Sequence, residues 1–295
     1  MALKGIIATG YFRTGSTFFF SCLRQVQRFR CFYEPYHPEL LEFINSLGDD
    51  DSGPDREALG HSLGDDYFSE FEGLDKIALN DTYGLERRIT NQPVLHARSV
   101  HDDLFNYILF LENFANQHEQ INVLQANRLN FAMPWLKSNF PDYLLILITR
   151  NPQAVFSSLQ SLGSKDGINI DAEDSQCSYW NVSEAFENIV KHYGFYRNNL
   201  PSFGYYQKLY FVLKFSERVM AQSADIIMSY EQFLVNPEPV FTLIGNAMQV
   251  DTQLSVSYAK ANVKFNKENI KNYYLSELEI APLAFLNEVT KHTHS

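Results

Sequence analysis

Short apolar runs bounded by turn residues alternate along this chain with stretches of helical periodicity, the pattern of a mainly parallel sheet covered by helices. Residues 5–9 (Gly-Ile-Ile-Ala-Thr) predict a first strand. Residues 17–30 predict a helix, with Phe19, Leu23, Val26 and Arg30 on one side and Phe18, Cys22 and Phe29 widening the apolar face. Further strands are expected at 94–97, 122–125, 143–149 and 225–229. The run Tyr-Leu-Leu-Ile-Leu-Ile-Thr at 143–149 lacks alternation, so it should be a central strand buried on both faces. From residue 179 onwards the pattern is largely helical and aromatic. Residues 48–75 are acidic and rich in Gly and Asp, and read as an insertion with a solvated face inside one α/β domain covering 1–295. Residues 161–178 read as a second irregular stretch.

Composition narrows the function classes. With 45% hydrophobic residues the 295-residue chain has a large core, and a formal charge of −11 disfavours a nucleic acid or an anionic membrane as partner. Apolar runs are too short for a membrane span. Arg13 falls where an apolar leader would have to continue, so no signal peptide is read and a cytoplasmic location is the expectation. Cys22, Cys31 and Cys177 are too scattered for a disulfide framework or a zinc site, and buried thiols are expected. Oligomeric state is not legible.

The loop after the first strand carries the most chemistry. Gly10-Tyr11-Phe12-Arg13-Thr14-Gly15-Ser16-Thr17 has the spacing of a P-loop, GxxxxGK followed by Ser or Thr, with Ser16 in the lysine position. Backbone N–H groups and the helix N-terminus still make an anion cradle there. Arg13 can supply the charge, and Ser16 and Thr17 add hydroxyl donors. The run Thr149-Arg150-Asn151-Pro152, with Ser158 two helical turns later, puts a second cation and hydroxyl at the sheet edge where open α/β folds bind ligands. A third segment, Ser229-Tyr230-Glu231 leading to Asn236-Pro237, again joins a strand to a helix.

In this order the segments resemble the PAPS-dependent sulfotransferase family, PAPS being 3′-phosphoadenosine 5′-phosphosulfate. Phe12 to Thr17 is similar to its phosphosulfate loop, with Phe12 in place of a proline and Thr14 in place of a serine. Arg150 and Ser158 resemble its 3′-phosphate pair, with Asn151 and Gln153 as departures. Tyr230-Glu231 resembles its late Tyr-Glu segment. Glu34 follows Arg13 by 21 positions, the interval found in the carbohydrate and tyrosylprotein branches.

The resemblance implies a P-loop-like central parallel β-sheet flanked by helices on both faces, PAPS as donor, PAP as product and no metal. It implies that Arg13, Thr14, Gly15, Ser16, Thr17, Arg150, Ser158 and Tyr230 bind the donor. Arg13 would also stabilise the leaving group, and Glu34 would act as general base with His37 in reserve. The acceptor would be the hydroxyl of a small molecule or a glycan. His96, Arg98, His101, Asn127 and Arg128 are candidates to face that acceptor, and Lys264 and Lys267 to close over the 3′-phosphate. A nucleotide-dependent small-molecule kinase and a non-catalytic nucleotide-binding protein of the same fold are the alternatives. The missing P-loop lysine weighs against the first, and the two retained anion cradles against the second.

Overall fold

The computed structural model describes residues 3–37, 68–74, 102–177, 179–192, 201–262 and 277–291, together with Leu40. Among these residues five parallel strands form a sheet: β1 (Gly5–Gly10), β2 (Phe29–Tyr33), β3 (Ile121–Gln125), β4 (Tyr143–Thr149) and β5 (Ile226–Ser229), in the order β2-β3-β1-β4-β5. β1 is buried at every position and β4 at all but its last, so both faces of the sheet are covered there. That is why these strands read as unbroken apolar runs.

Helices connect and flank the strands: α1 (Ser16–Leu23), α2 (Asp102–Gln117), α3 (Met133–Asn139), α4 (Pro152–Lys165), α5 (Val182–His192), α6 (Tyr205–Val219), α7 (Tyr230–Val235), α8 (Glu238–Met248), α9 (Gln253–Asn262) and α10 (Glu277–Lys291). On α1 the buried Phe19 meets Phe233 of α7 edge-on and stacks on Phe241 of α8, tying the helix to the C-terminal part. The connection leaving β1 runs towards the β2 edge, whereas the one leaving β4 runs towards β5. The carboxyl ends of the adjacent β1 and β4 therefore flank a topological switch point, where such sheets open a crevice.

Three expectations need correction. The helix predicted over 17–30 ends at Leu23, and Phe29–Tyr33 is a strand. Apolar residues at 18, 19, 22, 23, 26 and 29 fit a helix throughout, so periodicity could not mark the break. The break is set by parallel pairing of 29–33 with 121–125, which gives this stretch its backbone partners. The irregular stretch expected over 161–178 starts later, because α4 continues to Lys165 before a turn with Gly167 at φ 75°. The expected solvated insertion is partly core. Phe68, Phe71 and Leu74 are buried, Phe32 packs on Phe71 with ring centroids 5.1 Å apart, and Glu70 pairs with Arg24.

The strand expected at 94–97, residues His96, Arg98 and His101, most of the 48–75 stretch, and Lys264 and Lys267 lie outside the described residues. Cys22, Cys31 and Cys177 are free thiols; burial pushes the Cys22 thiol up to about 12. Among the described residues no helix is long and apolar enough to cross a membrane.

Candidate functional site

The turn from β1 to α1 is held by its own backbone. Thr14 Oγ1 donates to the Tyr11 carbonyl at 2.7 Å, and the Thr14 N–H donates to the same oxygen at 3.3 Å. Closing the turn puts Arg13 at φ 64° and Gly15 at φ 95°. Gly15 has no alternative: a Cβ there would lie 2.2 Å from Tyr230 Cε2, in a backbone region that side chains avoid. Ser16 and Thr17 follow as the first residues of α1, whose leading N–H groups lack helical partners and so point a partial positive charge into the loop.

Two arginines converge on this loop. Arg13 Nε donates to Ser158 Oγ of α4 at 3.1 Å, and Arg150 Nη1, from the end of β4, donates to the Arg13 carbonyl at 2.8 Å. The Arg150 guanidinium lies over the Tyr230 ring, 5.0 Å from its centroid. Glu231 next to that ring accepts from the Asn151 N–H at 2.9 Å, while the Asn151 side chain caps α4. The Tyr-Glu segment is thus a brace for the Arg150 turn. Among the described residues neither arginine has a carboxylate within ion-pair distance. Burial, and then the charge of Arg150, hold the Arg13 guanidinium below its ordinary value. Two cations so placed favour an anion between them.

Glu34 closes the other strand. It follows β2 directly, at φ 43°, and its N–H continues the ladder onto the Gln125 carbonyl at 2.9 Å. Its loop is pinned by Tyr107 of α2, whose hydroxyl donates to the Pro35 carbonyl at 3.0 Å, and by the His37 N–H, which donates to the Glu34 carbonyl at 2.8 Å. The Glu34 side chain is 5% exposed, and Oε1 accepts from Asn127 Nδ2 at 2.7 Å. Burial lifts its carboxyl to about 7, against the Arg128 charge and the Gln125 and Asn127 hydrogen bonds that favour the ionised form.

A cavity of about 380 Å³ brings these parts together. Its wall includes Arg13, Gly15, Ser16, Thr17, Arg150 and Tyr230, and also Glu34 and His37. Asn127 and Arg128 line it too. Two of the expected residues stand apart from the wall. Thr14 is 1% exposed with its hydroxyl committed to the loop, and Ser158 stands behind Arg13 as its hydrogen-bond partner, whereas the sequence paired it with Arg150.

Sequence reasoning did not foresee that Tyr33 shares a 2.6 Å hydrogen bond with Thr17 Oγ1, or that Phe18 and Trp180 join Phe12 in the wall. Adjacency to Glu34 could have pointed to Tyr33. Nothing in the sequence marks Trp180 and Asn181, which enter the site through two consecutive left-handed residues, φ 53° and 56°. The Trp180 ring lies 5.2 Å from Phe12, and its carbonyl accepts from the Tyr11 hydroxyl at 3.4 Å. Among the described residues no group of three or more His, Cys, Asp or Glu side chains is placed to hold a metal ion.

Three solved structures are similar to the chain: a sulfotransferase of Mycobacterium tuberculosis (13% identity, 99% of this chain and 76% of that one, TM-score 0.46), the sulfotransferase domain of a Synechococcus olefin synthase (14%, 98% and 95%, 0.43), and the sulfotransferase domain of the curacin biosynthetic pathway (16%, 97% and 99%, 0.43). No curated protein matches the chain in sequence. A family model described as the sulfotransferase family matches residues 5–253, from the first residue of β1 to the start of α9. With that match over most of its length, the chain belongs to the sulfotransferase family.

Proposed function

We propose that this chain transfers the sulfuryl group of PAPS to a hydroxyl of a small-molecule or glycan acceptor, releasing PAP. The observation that supports it best is the shared cavity, in which two arginines with no carboxylate partner among the described residues face a buried carboxyl poised near neutral pH. The loop N–H groups, Arg13, Ser16 and Thr17 would hold the 5′-phosphosulfate. Arg150 would hold the 3′-phosphate, with Tyr230 beside the adenosine and Ser158 acting through Arg13. Thr14 and Gly15 would keep the loop in shape.

In the step itself the acceptor oxygen forms a bond to sulfur in line with the breaking bond from sulfur to the bridging phosphate oxygen. The acceptor proton passes to Glu34, and the electron pair of the broken bond stays on PAP. Donors aimed at the bridging oxygen gain strength as its charge grows, so they lower the barrier rather than merely bind substrate. Arg13 and Ser16 are the groups offered for that task. Glu34 suits the base because burial brings its carboxyl to about 7. His37, on the same loop, is the reserve base.

The test is transfer of label from sulfur-labelled PAPS to a panel of hydroxyl acceptors in the presence of EDTA, with wild type and Glu34→Gln compared. Wild-type transfer should persist in EDTA, and Glu34→Gln should lower turnover at least about a hundredfold with PAP affinity nearly intact. Transfer of phosphate from ATP that requires Mg²⁺, with none of sulfate, would overturn the reading.

A further inference from the structure

Two linked amides hold the Glu34 carboxylate, and both Gln125 and Asn127 hydrogen-bond to it. Gln125, the last residue of β3, donates from Nε2 to Asn127 Oδ1 at 2.8 Å, and Asn127 donates from Nδ2 to Glu34 Oε1 at 2.7 Å. Gln125 is fully buried, Asn127 is 6% exposed, and Glu34 sits on the adjoining strand end. In this arrangement Asn127 turns its amino group to Glu34, the polarity that suits an ionised carboxylate. Flipping Asn127 alone would set donor against donor at Gln125 and carbonyl against carboxylate at Glu34.

Two costs are concentrated at this spot. Among the described residues Gln125 Oε1 is buried without a hydrogen-bond partner, and Glu34 holds a left-handed backbone that a side chain disfavours. Costs retained together beside a reactive group point to a role beyond stability.

We propose that Asn127, oriented by Gln125, is a positioning residue for Glu34, fixing where its carboxylate stands and favouring its proton-accepting form at neutral pH. The inference rests on the reading of Glu34 as the base. An amide N–H stabilises the carboxylate and does nothing for the neutral acid's carbonyl that it does not do better for the anion. Other ionisable groups also face this carboxylate: Arg128 from the turn after β3, Tyr33 and His37 from its own segment, and Arg13, Arg150 and Tyr230 from across the cavity. They remain in place in a variant that removes only the amide.

The experiment compares the pH profile of turnover and the PAP affinity of wild type, Asn127→Leu, Asn127→Asp and Gln125→Leu, and adds Asn127→Leu to Glu34→Gln. Burial already opposes ionisation of Glu34, so loss of the N–H donor moves the acidic limb of the profile upward, by about one pH unit for Asn127→Leu. Turnover at pH 7 then falls about fivefold, and about tenfold well below pH 7, while PAP affinity stays within about twofold. Gln125→Leu moves the limb in the same direction. Asn127→Asp keeps the side-chain size but sets a second carboxylate against the first, and moves the limb upward as well. In the Glu34→Gln background Asn127→Leu costs nothing further, because the group it acts through is gone.

An acidic limb that stays put in both Asn127 variants overturns the proposal, as does an equal slowing by Asn127→Leu with and without Glu34. Glu34→Gln turnover equal to wild type would instead remove the base itself, and the positioning role with it.

Discussion

A carboxyl kept near neutrality by burial should cost the fold stability as pH rises. The ordinary Glu value is 4.5 and the folded value of Glu34 about 7, so the folded state binds the proton more tightly than the unfolded chain between these limits. The sign follows: below about pH 4.5 both states are protonated and no penalty exists. The penalty then grows with pH, because the unfolded chain ionises first, and levels off once the pH exceeds the folded value. At about 1.4 kcal/mol per pH unit the gap amounts to about 3 kcal/mol at pH 8. Glu34 is 5% exposed, so solvent screening takes little from this figure. Glu34→Gln removes the titration and keeps an acceptor for Asn127 Nδ2. Urea unfolding of both proteins at pH 5, 6.5 and 8 should show the variant gaining on wild type as pH rises, by about 2–3 kcal/mol across the series. Parallel stability curves, with a constant offset or none, would refute the argument that desolvation sets the state of Glu34. A variant that loses ground as pH rises would reverse its sign.

Two further substitutions probe the anion cradle. Arg13→Ala should abolish transfer and weaken PAP binding more than Ser158→Ala, which removes only the hydroxyl that accepts from Arg13 and should cost about tenfold in affinity by calorimetry. Gly15→Ala should destabilise the protein by at least about 1–2 kcal/mol in thermal unfolding, since φ 95° is unfavourable and the added Cβ meets the Tyr230 ring; a second change, Tyr230→Ala, should recover the part due to the clash.

That the Gly15 loop and Arg150 come together at the cavity was legible because their parts are local. A buried strand, a turn that needs Gly15 and a helix start declare themselves within a dozen residues, and Arg150 stands where β4 leaves the sheet. The pairing of Ser158 with Arg13 was not legible, because it depends on how α4 lies against the loop, 145 positions away. The strand that delivers Glu34 was hidden for a different reason. Apolar residues from Phe18 to Phe29 satisfy helical periodicity, and only the partner at 121–125 makes 29–33 extended. Phe68 and Phe71 were lost in an acidic stretch whose average composition speaks of solvent, although these rings belong to the core. Trp180 and Asn181 reach the cavity through backbone angles that neither residue type announces.

The donor reading can be tested most directly by calorimetric titration of the protein with PAP, with the same nucleotide lacking its 3′-phosphate as the comparison. The account predicts micromolar PAP binding that weakens at least about tenfold without the 3′-phosphate, since a buried charge-assisted contact is worth about 1.5–3 kcal/mol. Equal affinity for the two, or binding to neither, would contradict a site built by Arg13 and Arg150 for a donor with two anionic ends.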